Sequence, residues 1–159
     1  DSARHIDDPN TFLTNYAAAT RTVADPLSLQ VGVMWRDPVA ELINTGERWR
    51  AAGIDWVATG GVAASVMAPF LSGVSSADVY VDATSIVGLE AVAQAADLRP
   101  IEGGRLTLRP FPTVAVQRLC EEIDGLRVAP WPRVYVDLQR AGVRGEEAAE
   151  HLLEVIRER

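Results

Sequence analysis

The run Asp55-Trp56-Val57-Ala58-Thr59-Gly60-Gly61-Val62-Ala63-Ala64 constrains the fold more than any other part of the chain. An apolar, partly β-branched segment from Asp55 to Thr59 reads as a short strand, and the glycine pair behind it permits a tight turn or close helix packing. Val62 to Phe70 then reads as a small-residue helix that ends around Pro69. Val79 to Val81 is expected as the next strand, and Ser85 to Ala96 as a helix with Ile86, Leu89, Val92, Ala93 and Ala96 at helical spacing. A strand–helix–strand–helix order is the pattern of an α/β layer, so the expected fold class is α/β (α+β): a mixed β-sheet flanked by helices in a single domain.

Upstream, Asp8-Pro9 starts a short helix carrying Phe12, Leu13 and Tyr16, and Asp25-Pro26 breaks it. Residues 1–26 are therefore expected as a leading helix or linker, and 27–159 as the α/β domain. Leu27 to Trp35 alternates with period 2 and reads as a strand or extended arm. Asp37-Pro38 supplies an N-cap and a first-turn proline for a helix to Ala52, with Gly53 as its stop. Leu98 to Ile101 and Arg105 to Phe111 flank Glu102-Gly103-Gly104 and read as a β-hairpin. Thr113 to Gln117 and Leu126 to Ala129 are expected to add short strands, and Gly145 to Arg159 to close the chain as a helix. The tetrapeptide Val-Tyr-Val-Asp occurs at 79–82 and 134–137; its composition suits a buried strand with an aspartate cap, while Trp131-Pro132-Arg133 ahead of the second copy leads into 134–137 as a helix start.

At 159 residues and 48% hydrophobic content the chain can bury a core of its own. Its net charge of −7 argues against this segment wrapping nucleic acid, since such affinity comes from neutralising phosphates. No apolar run approaches the roughly 20 residues needed to span a bilayer, and no signal peptide is visible, so a cytoplasmic protein without membrane partners is expected. The chain begins at Asp1 without a Met, so a preceding piece is expected as well. Cys120 is the single cysteine and reads as a small core residue rather than a redox or zinc ligand. His5 reads as part of a charged terminus and His151 as a surface partner of Glu147. The four tryptophans read as core or rim anchors. The motifs GxGxxG, GxxxxGK[ST] and GxSxG are absent.

The glycine pair followed by Ser76-Ala77-Asp78-Val79-Tyr80-Val81-Asp82 resembles the signature of nucleotidyltransferases, implying a nucleotidyltransferase-like core. In that family carboxylates at i and i+2 of the second strand hold the metal ions that assist phosphoryl transfer. Here Asp78 stands at i, but Tyr80, a neutral phenol, stands at i+2. Metal ions about 3.5–4 Å apart need closely spaced acids, and Asp82 lies roughly 13 Å from Asp78 along a regular strand. The neighbouring Arg105 to Arg109 segment supplies no third acid. The expectation is a cleft lined by Gly60, Gly61, Ser76, Asp78, Tyr80 and Asp82 that has no catalytic residue, no metal and no cofactor. The glycines serve either tight packing or an amide-lined cradle for an anion.

The order of segments is also similar to the C-terminal domain of AbiEi-type antitoxins of type IV toxin–antitoxin systems and related transcriptional regulators. Asp8-Pro9 with Phe12-Leu13, Asp55 to Ala64 with Pro69, and Val79-Tyr80-Val81 carry the likeness. So do Ala129-Pro130-Trp131-Pro132, Val134-Tyr135-Val136-Asp137-Leu138 and Arg144-Gly145-Glu146-Glu147-Ala148-Ala149. The resemblance implies a missing N-terminal winged-helix domain that binds operator DNA, a degenerate nucleotidyltransferase-like domain over 27–159, and a functional link to a nucleotidyltransferase toxin. Two other readings stand beside it. One is a minimal metal-dependent nucleotidyltransferase using Asp78 and Asp82 on a bent strand. The other is a structural module that forms a homodimer through Leu27 to Trp35.

Overall fold

Four consecutive buried residues, Trp56 to Thr59, require cover on both faces of their strand, and the computed structural model provides it. The structure describes residues 27–68 and 77–159. Its strands are β1 (Leu29–Val31), β2 (Trp56–Thr59), β3 (Ala77–Val81), β4 (Leu106–Pro110), β5 (Glu121–Ile123) and β6 (Leu126–Val128). Its helices are α1 (Pro38–Ala51), α2 (Gly60–Met67), α3 (Ile86–Ala95), α4 (Val114–Arg118), α5 (Trp131–Gln139) and α6 (Val143–Arg157). The strands form one mixed sheet in the order β1-β4-β3-β2-β6-β5. The pairs β3/β4 and β2/β6 are parallel, whereas β1/β4, β2/β3 and β5/β6 are antiparallel. The α/β class expected from the segment order is therefore present, with helices on both faces of the sheet.

Strand alternation sorts the helices into two layers. Trp56 faces α1, where its ring lies 6.0 Å from that of Trp49. Trp49 is fully buried and donates its indole N–H to Val92 O at 2.8 Å, which ties α1 to α3. The opposite face carries α2 and α5, with α6 packed over both. Gly46 is the contact that sets how closely α1 approaches β2: a Cβ there would stand 2.0 Å from the Trp56 ring.

Local punctuation around α1 follows the sequence pattern. The Asp37 side chain accepts from Ala40 N at 3.3 Å, Pro38 opens the first turn, and Gly53 at φ +75° ends the helix. Ser85 caps α3 by accepting from Gly88 N at 3.0 Å.

Several expectations are corrected. The segment from 98 to 101 does not pair with β4 as a hairpin. Instead Ile101 N donates to Gln30 O and Gly32 N to Arg99 O, so it lies along the outer edge of β1. β4 follows a β3-α3 crossover, and its two edges are taken by β3 and β1, leaving none for a hairpin partner. The strand expected at Thr113 to Gln117 is the helix α4, because the Thr113 hydroxyl accepts from Val116 N at 3.2 Å and nucleates a turn. The second Val-Tyr-Val-Asp copy lies in a helix that starts at Trp131-Pro132, as expected, but Asp137 sits well inside α5 rather than capping a helix. Asp82 is not a cap either, since Ser85 holds that position. The expected leading helix with Phe12, Leu13 and Tyr16, the Asp25-Pro26 break, Pro69 and Ser76 lie outside the described residues.

Substituting Gly46 by Ala is expected to push α1 off Trp56 and destabilise the domain by about 1–3 kcal/mol, read by urea unfolding.

Candidate functional site

The residues facing α5 follow from strand register. Thr59 stands opposite Asp78 and Val57 opposite Tyr80 across the antiparallel β2/β3 pair. Thr107 and Arg109 stand beside Asp78 and Tyr80 across the parallel β3/β4 pair. Directly paired residues share a face, so Thr59, Asp78, Tyr80, Thr107 and Arg109 form one polar patch. At the end of β2 the chain turns into α2 through Gly60, whose φ is +65°. A Cβ at Gly60 would also stand 2.8 Å from Asp78 Oδ2. Glycine is thus required there twice, by backbone conformation and by close approach to the acid. Gly61 follows in the first turn of α2.

The centre of the patch is supplied by α5. Asp137 reaches in and its Oδ2 accepts from the Thr59 hydroxyl at 2.6 Å and from the Tyr80 hydroxyl at 2.5 Å. Arg133, one turn earlier, places Nε 2.8 Å from the Tyr80 hydroxyl oxygen, 3.2 Å from Asp137 Oδ1 and 3.4 Å from Oδ2. The guanidinium carbon also sits 5.5 Å from the centroid of the Tyr80 ring, so the cation contacts both its π face and its hydroxyl. Tyr80 is 2% exposed and Arg133 8%. Thr59 occupies the N-cap position of α2 yet makes no capping hydrogen bond, because its hydroxyl is committed to Asp137.

Electrostatics keep the phenol in its neutral form. Burial pushes the Tyr80 hydroxyl well above its ordinary range, and the adjacent Asp137 carboxylate pushes the same way, outweighing the opposing pull of Arg133. Tyr80 therefore acts as a donor to Asp137 and an acceptor from Arg133. Asp78 is also raised above the usual carboxylate value, first by burial and secondarily by the charge on Asp137. Arg109 and the Thr107 hydroxyl act in the opposite direction but do not prevail. The Arg109 guanidinium is 3.8 Å from Asp78 Oδ1 and about a third exposed, so solvent screens its pull.

Of the six residues expected at the cleft, Gly60, Gly61, Asp78 and Tyr80 come together and Ser76 lies outside the described residues. Asp82 does not join them. It is exposed beyond the end of β3, where its backbone N–H donates to Asp55 O at 3.3 Å. Sequence reading missed Thr59, Arg133 and Asp137. The available signal was the i,i+4 spacing of Arg133 and Asp137 behind Trp131-Pro132, which on a helix puts the pair on one face. Cys120, expected as a core residue, is half-buried and takes a hydrogen bond from Arg127 Nη2 at 3.2 Å, while Arg127 Nη1 lies 2.8 Å from Asp55 Oδ1.

The donor set is a poor match to a divalent metal centre. Asp78 and Asp137 carry two negative charges, and Arg109 and Arg133 neutralise both from within the chain. The strand positions beside Asp78 and Tyr80 hold Thr107 and Arg109 rather than acids. Among the described residues no group of three or more His, Cys, Asp or Glu is placed to hold a metal ion. No family model, no curated protein and no solved structure matches this chain.

Replacing Tyr80 by Phe removes a donor from Asp137 and an acceptor from Arg133, and is expected to cost about 1–3 kcal/mol in urea unfolding. The pH dependence of Asp78 gives a second readout. Its folded-state pKa is raised, so its contribution is fully present below the unfolded value and is lost as pH rises through the folded value. Asp78→Asn lacks that loss. Its stability relative to the parent should therefore improve as pH rises above the ordinary carboxylate value of about 4 and level off once the parent's Asp78 is ionised, measured by urea unfolding at each pH.

Proposed function

We propose that this chain is the non-catalytic regulatory or antitoxin part of a DNA-binding transcriptional regulator of the AbiEi type, built on a degenerate nucleotidyltransferase-like core. The carrying observation is the occupation of the would-be metal-holding face by Tyr80 and Arg133 around Asp137. A glycine turn after β2, an antiparallel β3 that begins with Ala77-Asp78 and a parallel β4 beside it agree with the resemblance noted from the sequence. Phosphoryl transfer assisted by two metal ions needs carboxylates free to bridge them. Here one carboxylate is bound by two hydroxyls and a guanidinium, and the other faces Arg109.

The position of Asp82, outside the sheet and exposed, counts against the minimal nucleotidyltransferase that would pair it with Asp78. The outer edge of β1 is lined by residues 99–101, which counts against a homodimer made by joining sheets there. Among the described residues no helix is long and apolar enough to cross a membrane. In the proposed protein, operator DNA is bound by a winged-helix domain upstream, which suits the acidic charge of this segment.

Incubation with each labelled nucleoside triphosphate, Mg²⁺ or Mn²⁺, and RNA or protein acceptors should give no incorporation above background. Incorporation that Asp78→Asn abolishes would overturn the proposal. A reporter driven by the gene's own promoter should be repressed by the gene product with its upstream coding sequence, and this segment alone should leave it unrepressed.

A further inference from the structure

We propose that the outer face of α3 is a docking surface for a second copy of this chain, the two α3 helices packing antiparallel about a two-fold axis. The surface lies on the opposite side of the sheet from the Asp137 cluster, so the inference stands or falls independently of whether that cleft is catalytic. A helix that covers a sheet is ordinarily apolar inward and polar outward. Two long helices of this domain obey that rule: Glu47, Arg48 and Arg50 are exposed on α1, and Arg144, Glu146, Glu147 and Glu150 on α6. α3 does not. Leu89, Val92 and Ala93 fill its inner face, yet its outer face carries Val87 at 71% exposure, Ile86 at 44%, and the exposed Ala91 and Ala95, with Glu90 as its only charge. Val87, Ala91 and Gln94 stand at i, i+4 and i+7, which lines them up as a seam of the kind that packs on another helix.

The charges at the two ends of α3 identify the occupant. Asp82 is exposed just ahead of the helix and Glu90 lies on its first half, so the leading end is acidic. At the trailing end Arg48 of α1 donates to Ala96 O at 3.2 Å, and Arg99 is exposed beyond it, so the two guanidiniums outnumber the Asp97 carboxylate there. A parallel pairing would set like ends together. An antiparallel pairing about a two-fold axis sets the acidic end of each helix beside the basic end of the other, twice over, and also brings opposite ends of the helix dipoles together. The face is therefore complementary to itself in charge as well as apolar along its seam. A helix of 10 residues is only about 15 Å long, so a contact centred on it suits a weak dimer that forms as concentration rises.

Sedimentation equilibrium of the full chain tests this. From about 5 µM to about 500 µM the average mass should climb from that of one chain towards that of two, the range expected of a small interface. Val87→Glu places a charge on the seam and should weaken association at least about tenfold, as should Glu90→Arg, which sets like charges at both ends of the contact. Val143→Glu replaces an equally exposed apolar residue on α6 and should leave the dimer unchanged. Raising NaCl from about 0.05 M to about 0.5 M should weaken the parent dimer by screening its end charges, and should strengthen that of Glu90→Arg. All three substituted positions are exposed, and an unchanged circular-dichroism spectrum and Tm verify that each variant is folded. A parent that stays monomeric throughout would overturn the proposal. So would a dimer that tolerates Val87→Glu, or one that Val143→Glu disrupts as strongly, because either result places the contact elsewhere.

Discussion

The hydrogen bonding of one carboxylate, Asp137, joins the two halves of this structure. Its Oδ2 collects the hydroxyls of Thr59 on β2 and Tyr80 on β3, and Arg133 on its own helix completes the set. Three elements distant in sequence are thereby tied at one point. Val134 and Leu138 are buried and press α5 onto the rest of the core. The polar cluster restricts the helix's rotation and height, because charge-assisted hydrogen bonds tolerate little displacement. Once α5 is set, α6 packs back over α5 and α2. Gly145 allows that close return, since a Cβ there would stand 2.0 Å from Leu138 O.

The chemistry of the cleft follows from the same interaction. A carboxylate bound by two hydroxyls and a guanidinium is satisfied and anchored, the opposite of what a metal-bridging acid requires. Tyr80 is central because a phenol can donate to Asp137 and accept from Arg133 at once, which a second carboxylate in its place could not do. Putting an acid at that position would add a buried negative charge, so the tyrosine and the arginine make sense only together. Asp78 is left at the margin, partly solvated and facing Arg109, with its charge opposed by burial and by Asp137.

What could be read from the sequence divides along the range of the interactions involved. The β2-Gly60-α2 turn, the Asp37-Pro38 cap, Gly53 and the helix behind Ser85 are local devices spanning a few residues, and each reads directly. The failures are cases where tertiary pairing decides. Residues 98–101 have strand-like character but were claimed by β1, which enters from seventy residues earlier. Asp137 was expected as a cap, yet the helix that Pro132 opens runs on through it and turns its side chain onto β2 and β3. In the site, Gly60 and Asp78 were legible because they share a short segment. Asp137 was not, because the Tyr80 to Asp137 contact crosses 57 positions and nothing local at Asp137 announces it.

The most direct measurement of whether this cluster organises the domain is a double-mutant cycle between Arg133→Met and Asp137→Asn, with unfolding free energies taken from urea titrations. If the pair is a mutually compensating buried unit, each single substitution should be costly and the double substitution far less costly than their sum, with a coupling of about 2 kcal/mol or more. Additive effects, with a coupling within about 0.5 kcal/mol of zero, would contradict the central role given to Asp137 and its internal cation.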